Sequence, residues 1–255
     1  MTTFRHAGRM GDILYSLYFA THFTRGEAFD YVLQTDVADR FDPSHRPCLM
    51  TQKEAEFLKP LLEFQSYINH VEITSSARYP DEVYVLDAFR RDMRRIIGRE
   101  IRTWYYGLRE VIPHGEFARP VLTVEDQPER LGVIAVCFTP RYKQTFDLAP
   151  LRKYRDDIIF VGLPEEHEAF CRDYFPVYHY QVLDALDLLE LVSACRGFVG
   201  NVSGTYAIME CAKIPRILCL EPKGGNVRPQ GGFCREASNS EQLEIYLKQL
   251  MEENV

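Results

Sequence analysis

Several common signatures are missing from this chain. Its seven cysteines contain no CxxC pair, and its seven histidines contain no HExxH or HxxxH pair. Spacing therefore supports no metal site. The cysteine count is odd, and Cys137, Cys195, Cys211 and Cys219 sit in apolar surroundings. That pattern points to buried free thiols rather than disulfides. No apolar run approaches the ~20 residues of a membrane span. The opening residues MTTFRHAGRM lack the apolar centre of a signal peptide. We therefore expect no membrane span and a cytoplasmic location. A basic excess is also absent: 30 Lys and Arg stand against 37 Asp and Glu, for a formal net charge of −7. This argues against bulk nucleic-acid binding. No repeat or low-complexity tract occurs. What remains is 255 residues with 46% hydrophobic side chains, enough for one large or two small globular domains.

The chain alternates between strand and helix patterns. Phe4 to Ala7 reads as a strand broken by Gly8 and Gly11. Asp12 then opens a helix with Ile13, Leu14, Leu17 and Tyr18 at helical spacing. Phe29 to Gln34, Ile68 to Ile73 and Val83 to Asp87 read as strands. Thr51 and Glu54 have capping-box spacing ahead of Leu58, Leu61 and Leu62. Asp87 to Leu108 has the period of one long helix. Its Arg91, Arg95, Arg99 and Arg102 fall at near-helical spacing. They read as a solvated face balanced by Asp92 and Glu100, or else as a basic face for an anionic acceptor. The turn-rich residues 113–128 mark a linker region, which suggests domains at 1–125 and 126–255.

Beyond the linker, Gly132 to Phe138 and Asp157 to Gly162 are near-continuous apolar runs, as in strands buried on both faces. Helices are expected at Leu148 to Tyr154, Glu165 to Asp173, Asp184 to Ala194 and from Asn239 or Ser240 to about Glu252, and a strand at Arg216 to Leu220. The most informative stretch is Cys195 to Pro215. An apolar strand meets a turn of Gly200, Asn201, Ser203 and Gly204, and a helix then runs from Thr205 towards Pro215. A small-residue turn feeding a helix N-terminus suits an anion, because its N–H groups lack intrahelical partners. Taken alone, the stretch also fits an ordinary strand-to-helix turn. The alternation implies an α/β protein with mainly parallel sheets. Ligands of such sheets bind beyond the carboxyl ends of the strands. Four loops belong there: Gly8 to Asp12, Thr139 to Lys143, Gly162 to Glu166 and Gly200 to Thr205.

These loops, in this order, resemble the heptosyltransferases of glycosyltransferase family 9. The relevant segments are GRMGDILYSLYFA, CFTPRYKQTFDLAPLRKY, VGLPEEHEAF and LLELVSACRGFVGNVSGTYAIMECAKIP. The resemblance implies a GT-B-like fold: two Rossmann-like parallel-sheet domains facing across a cleft, with the N-terminal domain reduced. It implies a metal-independent glycosyltransferase that moves a sugar from a nucleotide-diphosphate sugar to a hydroxyl acceptor. No cofactor is implied, because the nucleotide sugar is itself a substrate. By the resemblance Asp12 is the general base, with Gly11 and Arg9 beside it on the acceptor side. A carboxylate at a helix start also serves as an N-cap, and the helix N-terminus is expected to lower its pKa. Arg141 and Lys143 match the family's basic loop, and Asn201, Ser203, Gly204 and Thr205 match its diphosphate cradle. Glu166, or the adjacent Glu165, matches the acid that accepts hydrogen bonds from ribose. The acceptor is a glycan or another hydroxyl compound, and the arginine-rich segment is compatible with an anionic or nucleic-acid acceptor.

This sequence departs from the family at Val202, Ala207 and Leu163, where aspartate, histidine and glycine are usual. Two other readings share the architecture. One is a non-catalytic nucleotide- or glycan-binding protein. The other is a nucleotide-sugar 2-epimerase, for which His6 is the available histidine in the first loop.

Overall fold

The computed structural model describes residues 1–39, 48–76, 83–91, 100–106, 115–124, 131–140, 146–220 and 226–252. They form two compact units. One comprises Met1–Glu116 with Asp184–Leu186, and the other Phe117–Leu183 with Asp187–Val255. The division falls after residue 116, ahead of the expected boundary at 125. The reason is local: the Val121 and Leu122 amides donate to the Cys211 carbonyl, at 2.9 and 3.2 Å, and so bind this segment to the second unit.

The first unit holds strands β1 (Thr3–His6), β2 (Phe29–Gln34), β3 (Ile68–Thr74) and β4 (Val83–Val85) in a parallel sheet of order β3-β2-β1-β4. Its helices are α1 (Met10–Phe23), α2 (Gln52–Glu63) and α3 (Ile101–Tyr106). Every residue of α1 from Ile13 to Ala20 is buried, as expected of a helix that is apolar on most sides. Phe4 anchors the sheet core, packing edge-on to Phe29 with ring centroids 5.0 Å apart. The capping box of α2 forms as its spacing predicts. Thr51 Oγ1 accepts from the Glu54 amide at 3.2 Å, and the Glu54 carboxylate accepts from the Thr51 amide at 2.9 Å.

The expected long helix from Asp87 to Leu108 is not one element. Leu86–Arg91 is a 3₁₀ helix and α3 starts afresh at Ile101; residues 92–99 lie outside the described set. Glu100 makes the new start, its carboxylate accepting from the Arg102 amide at 3.3 Å. Arg102 belongs to no solvated face. Its side chain is fully buried, and Nε donates to Glu100 at 2.8 Å. Arg95 and Arg99, and the side chain of Arg91, fall outside the described residues.

The second unit holds β5 (Ile134–Cys137), β6 (Ile158–Phe160), β7 (Tyr178–His179), β8 (Gly197–Gly200), β9 (Arg216–Cys219) and β10 (Cys234–Ala237). They form a parallel sheet of order β10-β9-β8-β5-β6-β7. Helices α4 (Pro164–Asp173), α5 (Ala185–Ala194), α6 (Gly204–Ala212) and α7 (Ser240–Glu252) connect or flank the strands. The core lies around Val136, Phe160, Val199, Ile217 and Leu247. Residues 149–157, expected to be helical from 148 to 154, form a 3₁₀ helix. Asn239 caps α7, its Oδ1 accepting from the Gln242 amide at 2.9 Å. Helix α6 stops before Pro215: Lys213 adopts the left-handed conformation (φ 60°), and its amide turns back to Met209. Strand β10 escapes a pattern search because Arg and Glu occupy its centre, as suits an edge strand. All seven cysteines are free, and Cys137, Cys195, Cys211 and Cys219 are buried.

Both sheets reverse their building direction once. In the first unit, β2 and β3 are added on one side of β1 and β4 on the other; in the second, β6 and β7 lie on one side of β5 and β8 to β10 on the other. A doubly wound sheet opens a crevice at that switch point, beyond the carboxyl ends of the two strands that flank it. The crevices therefore lie after β1 and β4, and after β5 and β8.

Candidate functional site

At the first crevice the chain leaves β1, turns at Gly8 and enters α1 with Arg9 as N-cap. Asp12 is the third helical residue, not the cap itself. Its Oδ2 accepts from the Arg9 amide at 3.3 Å, which satisfies a donor at the helix start. From the other side of the crevice, Arg90 in the 3₁₀ turn after β4 donates to the same carboxylate oxygen. The Asp12 side chain keeps 17% exposure. Burial raises its carboxyl above the ordinary aspartate value, while Arg90 and the Arg9 amide oppose the rise. The lowering expected from the helix terminus is thus outweighed by desolvation. Arg9 pairs through its guanidinium with Asp39. Gly11 is the second residue of the same helical turn.

Behind Asp12 lies a buried chain of polar groups. The Gly8 amide donates to His6 Nδ1 at 2.7 Å, His6 Nε2 lies 3.1 Å from the Tyr105 hydroxyl, and that hydroxyl donates to the Asp12 carbonyl at 2.6 Å. Gly8 is required here, because a Cβ would collide with the His6 ring and come within 2.9 Å of Asp12 Cβ.

At the second crevice three loops meet. Asn201, after β8, clamps Thr139, after β5. Its Oδ1 accepts from the Thr139 amide at 2.9 Å and its Nδ2 donates to the Thr139 carbonyl at 2.8 Å. The strands can approach because Gly200 has no Cβ; one would strike the Cys137 carbonyl. Ser203 caps α6 by accepting from the Tyr206 amide at 3.0 Å. The amides of Gly204 and Thr205 occupy the first helical turn, where no intrahelical acceptor exists. Glu166 Oε2 accepts from the Leu163 amide at 2.9 Å and from the Cys137 thiol at 3.9 Å. Burial raises the Glu166 carboxyl, against hydrogen bonds from Leu163 and Thr139. Burial also pushes the Cys137 thiol upward, with the neighbouring Thr205 and Ser203 side chains opposing the rise. The thiol is the hub on which the Glu166 and α6 loops close. Glu165 is exposed, in the first turn of α4. Val202 is buried. Arg141 and Lys143 lie outside the described residues.

The structure thus brings Glu166, Ser203 and Thr205 around one thiol, sets Asn201 on Thr139, and leaves Glu165 outside the group. Sequence reasoning missed Arg90, Tyr105 and Cys137. Arg90 follows a strand by five residues, but its relevance depends on β4 lying beside β1, which no spacing reveals. Replacing Asn201 by Ala removes both bonds to the Thr139 backbone. Half-buried groups lose less than the full desolvation penalty, so we expect about 1–2 kcal/mol of lost stability in chemical denaturation. An unchanged midpoint would show that water takes over the clamp.

No protein-family model matches the chain, and no curated protein matches it in sequence. Solved structures do match, nearly end to end. A glycosyl transferase family 9 structure from Veillonella parvula has a TM-score of 0.68 at 10% identity, covering 99% of this chain and 98% of that one. The ADP-heptose LPS heptosyltransferase II of E. coli has a TM-score of 0.68 at 14% identity, with 99% of both chains covered. The E. coli heptosyltransferase WaaC, solved with ADP, gives 0.59 at 16% identity with 100% of both covered. With its two doubly wound parallel sheets, the chain has the GT-B-like fold of these heptosyltransferase structures.

Proposed function

We propose that this chain is a glycosyltransferase moving a sugar from a nucleotide-diphosphate sugar to a hydroxyl acceptor, with Asp12 as general base. The observation behind the reading is Asp12 itself: a carboxylate raised by burial, seated at the switch point of a parallel sheet. Asp12 takes the proton of the acceptor hydroxyl as its oxygen attacks the anomeric carbon. The bond from that carbon to the diphosphate breaks, and the diphosphate leaves with the electron pair. The N-terminal turn of α6, with Ser203, Gly204 and Thr205, receives that growing negative charge, and Arg141 and Lys143 supplement it. The reading requires no metal ion. Glu166 accepts the ribose hydroxyls, a role its inward position favours over Glu165. The acceptor is a glycan or another hydroxyl compound, bound beside Arg9 and Gly11.

A second reading, binding without turnover, draws on the Arg90 ion pair, which restrains the basicity of Asp12. The epimerase reading loses ground. His6 is fully buried with both ring nitrogens engaged, and burial holds its pKa well below the ordinary histidine value.

The reading is tested by thermal unfolding with ADP-, UDP-, GDP- and dTDP-linked sugars. The ADP sugars come first, since one similar structure contains ADP. A ligand at ~100 times its Kd stabilises by about 2.7 kcal/mol, a rise of roughly 5–10 °C for a chain of this size. No rise with any nucleotide would refute the transferase reading. A rise without transfer or hydrolysis would select the binding protein.

A further inference from the structure

We propose that Tyr105 is a positioning residue for Asp12, with its hydroxyl proton committed to the Asp12 main-chain carbonyl by a His6 side chain fixed as the Nε2–H tautomer. The inference rests on the transferase reading for its kinetic consequence, but its geometry stands apart from it.

The polarity of the chain follows from its first link. A backbone amide can only donate, so Gly8 N–H at 2.7 Å makes His6 Nδ1 an acceptor. In a neutral ring the proton then sits on Nε2. His6 is fully buried, and both desolvation and the nearby Arg90 disfavour its charged form. Nε2–H therefore donates to the Tyr105 oxygen, 3.1 Å away. With that lone pair used, the phenolic proton goes to the Asp12 carbonyl at 2.6 Å, an acceptor with no proton to give. Every direction in this series is determined by its neighbour. The phenol is held in turn: its ring is fully buried and packs edge-on against Phe89, 5.3 Å away. Phe89 immediately precedes Arg90, the ion-pair partner of the Asp12 carboxylate. Tyr105 thus touches both sides of the crevice: the first turn of α1 through its hydroxyl, and the 3₁₀ turn after β4 through its ring.

Removing the hydroxyl should loosen the first turn of α1 while leaving the carboxylate present. A displacement of about 1 Å at a reacting group costs ~10²-fold in rate. For Tyr105→Phe we expect kcat to fall about 10- to 100-fold with the KM for the nucleotide sugar unchanged. His6→Phe removes the group that orients the phenol and should cost a similar factor. Because both act through one series, the double variant should lose no more than the worse single variant. Multiplying losses, or a rise in donor KM in place of the kcat fall, would overturn the inference. A measurement on the unmodified protein is independent of turnover and of variant folding. Nitrogen-15 NMR of the histidine rings should show His6 neutral with its proton on Nε2 from pH 5 to 8. A proton on Nδ1, or titration of His6 in that range, would overturn the relay. If the wild type turns over no donor, the transferase reading fails while the NMR result still decides the relay.

Discussion

Asp12→Asn is expected to lower kcat/KM by ~10²–10⁴-fold, the usual contribution of a general base, with donor affinity retained. Asparagine keeps the size of the side chain and can still accept from Arg90 and from the Arg9 amide, so loss of fold is not the expected cause. The wild-type pH profile supplies a second readout. A general base works when ionised, so activity rises with pH through its pKa. Burial raises the Asp12 carboxyl, which places the acidic limb of kcat/KM above the ordinary aspartate range near 3.9. The limb should vanish from the residual activity of the variant. Activity within a few-fold of wild type would remove Asp12 from the mechanism.

The largest loss of stability is expected at Glu210, in the last turns of α6. Its carboxylate is fully buried. Oε2 accepts from Arg216 Nε at 2.6 Å, and Oε1 accepts from Lys213 Nζ at 2.8 Å and from the Gln230 amide at 3.2 Å. Glu210→Ala would leave two cations in the interior, one of them an arginine with no exposed side-chain surface. Breaking one side of such a group costs about 3–5 kcal/mol, a fall of roughly 6–20 °C in Tm for a chain of this size. Changing the pair together, Glu210→Leu with Arg216→Met, removes the stranded guanidinium and should recover much of the loss. Calorimetry of the three proteins makes the comparison. A loss below about 1 kcal/mol for Glu210→Ala would mean that water reaches the cluster in solution.

Local chemistry was readable in the sequence wherever it depended on near neighbours. The Thr51–Glu54 box, the Ser203 turn into α6 and the buried runs of β5 and β6 all formed where expected, because each is decided within a few residues. The helix start at Asp12 was readable in the same way, from a glycine-broken strand end followed by apolar residues at helical spacing, whereas its role as a base was implied by the family resemblance alone. What surrounds Asp12 was not readable. Arg90 lies 78 residues away, and Tyr105 lies 93. Arg90 is brought in by the addition of β4 to the far side of β1 and Tyr105 by the packing of α3 on α1, and nothing local announces either. Arg102 departs from the expected solvated face for a related reason. Glu100 caps α3, and Arg102 serves Glu100 rather than solvent. Asn201 read as part of the donor-binding turn, yet its amide joins the ends of two strands through a contact 62 residues long.

The placement of β4 has a further consequence for how this molecule ages and fails. It is a three-residue strand at the margin of the first sheet and, among the described residues, pairs only with β1. Margins open at lower free energy than sheet centres, and the β1–β4 contact closes the longest loop of chain in that sheet, the costliest to re-form once lost. The Arg90 guanidinium departs with it. Asp12 can thus lose its counterion while β1, β2, β3 and α1 stay intact, so the charge balance of the first crevice is less durable than the fold around it.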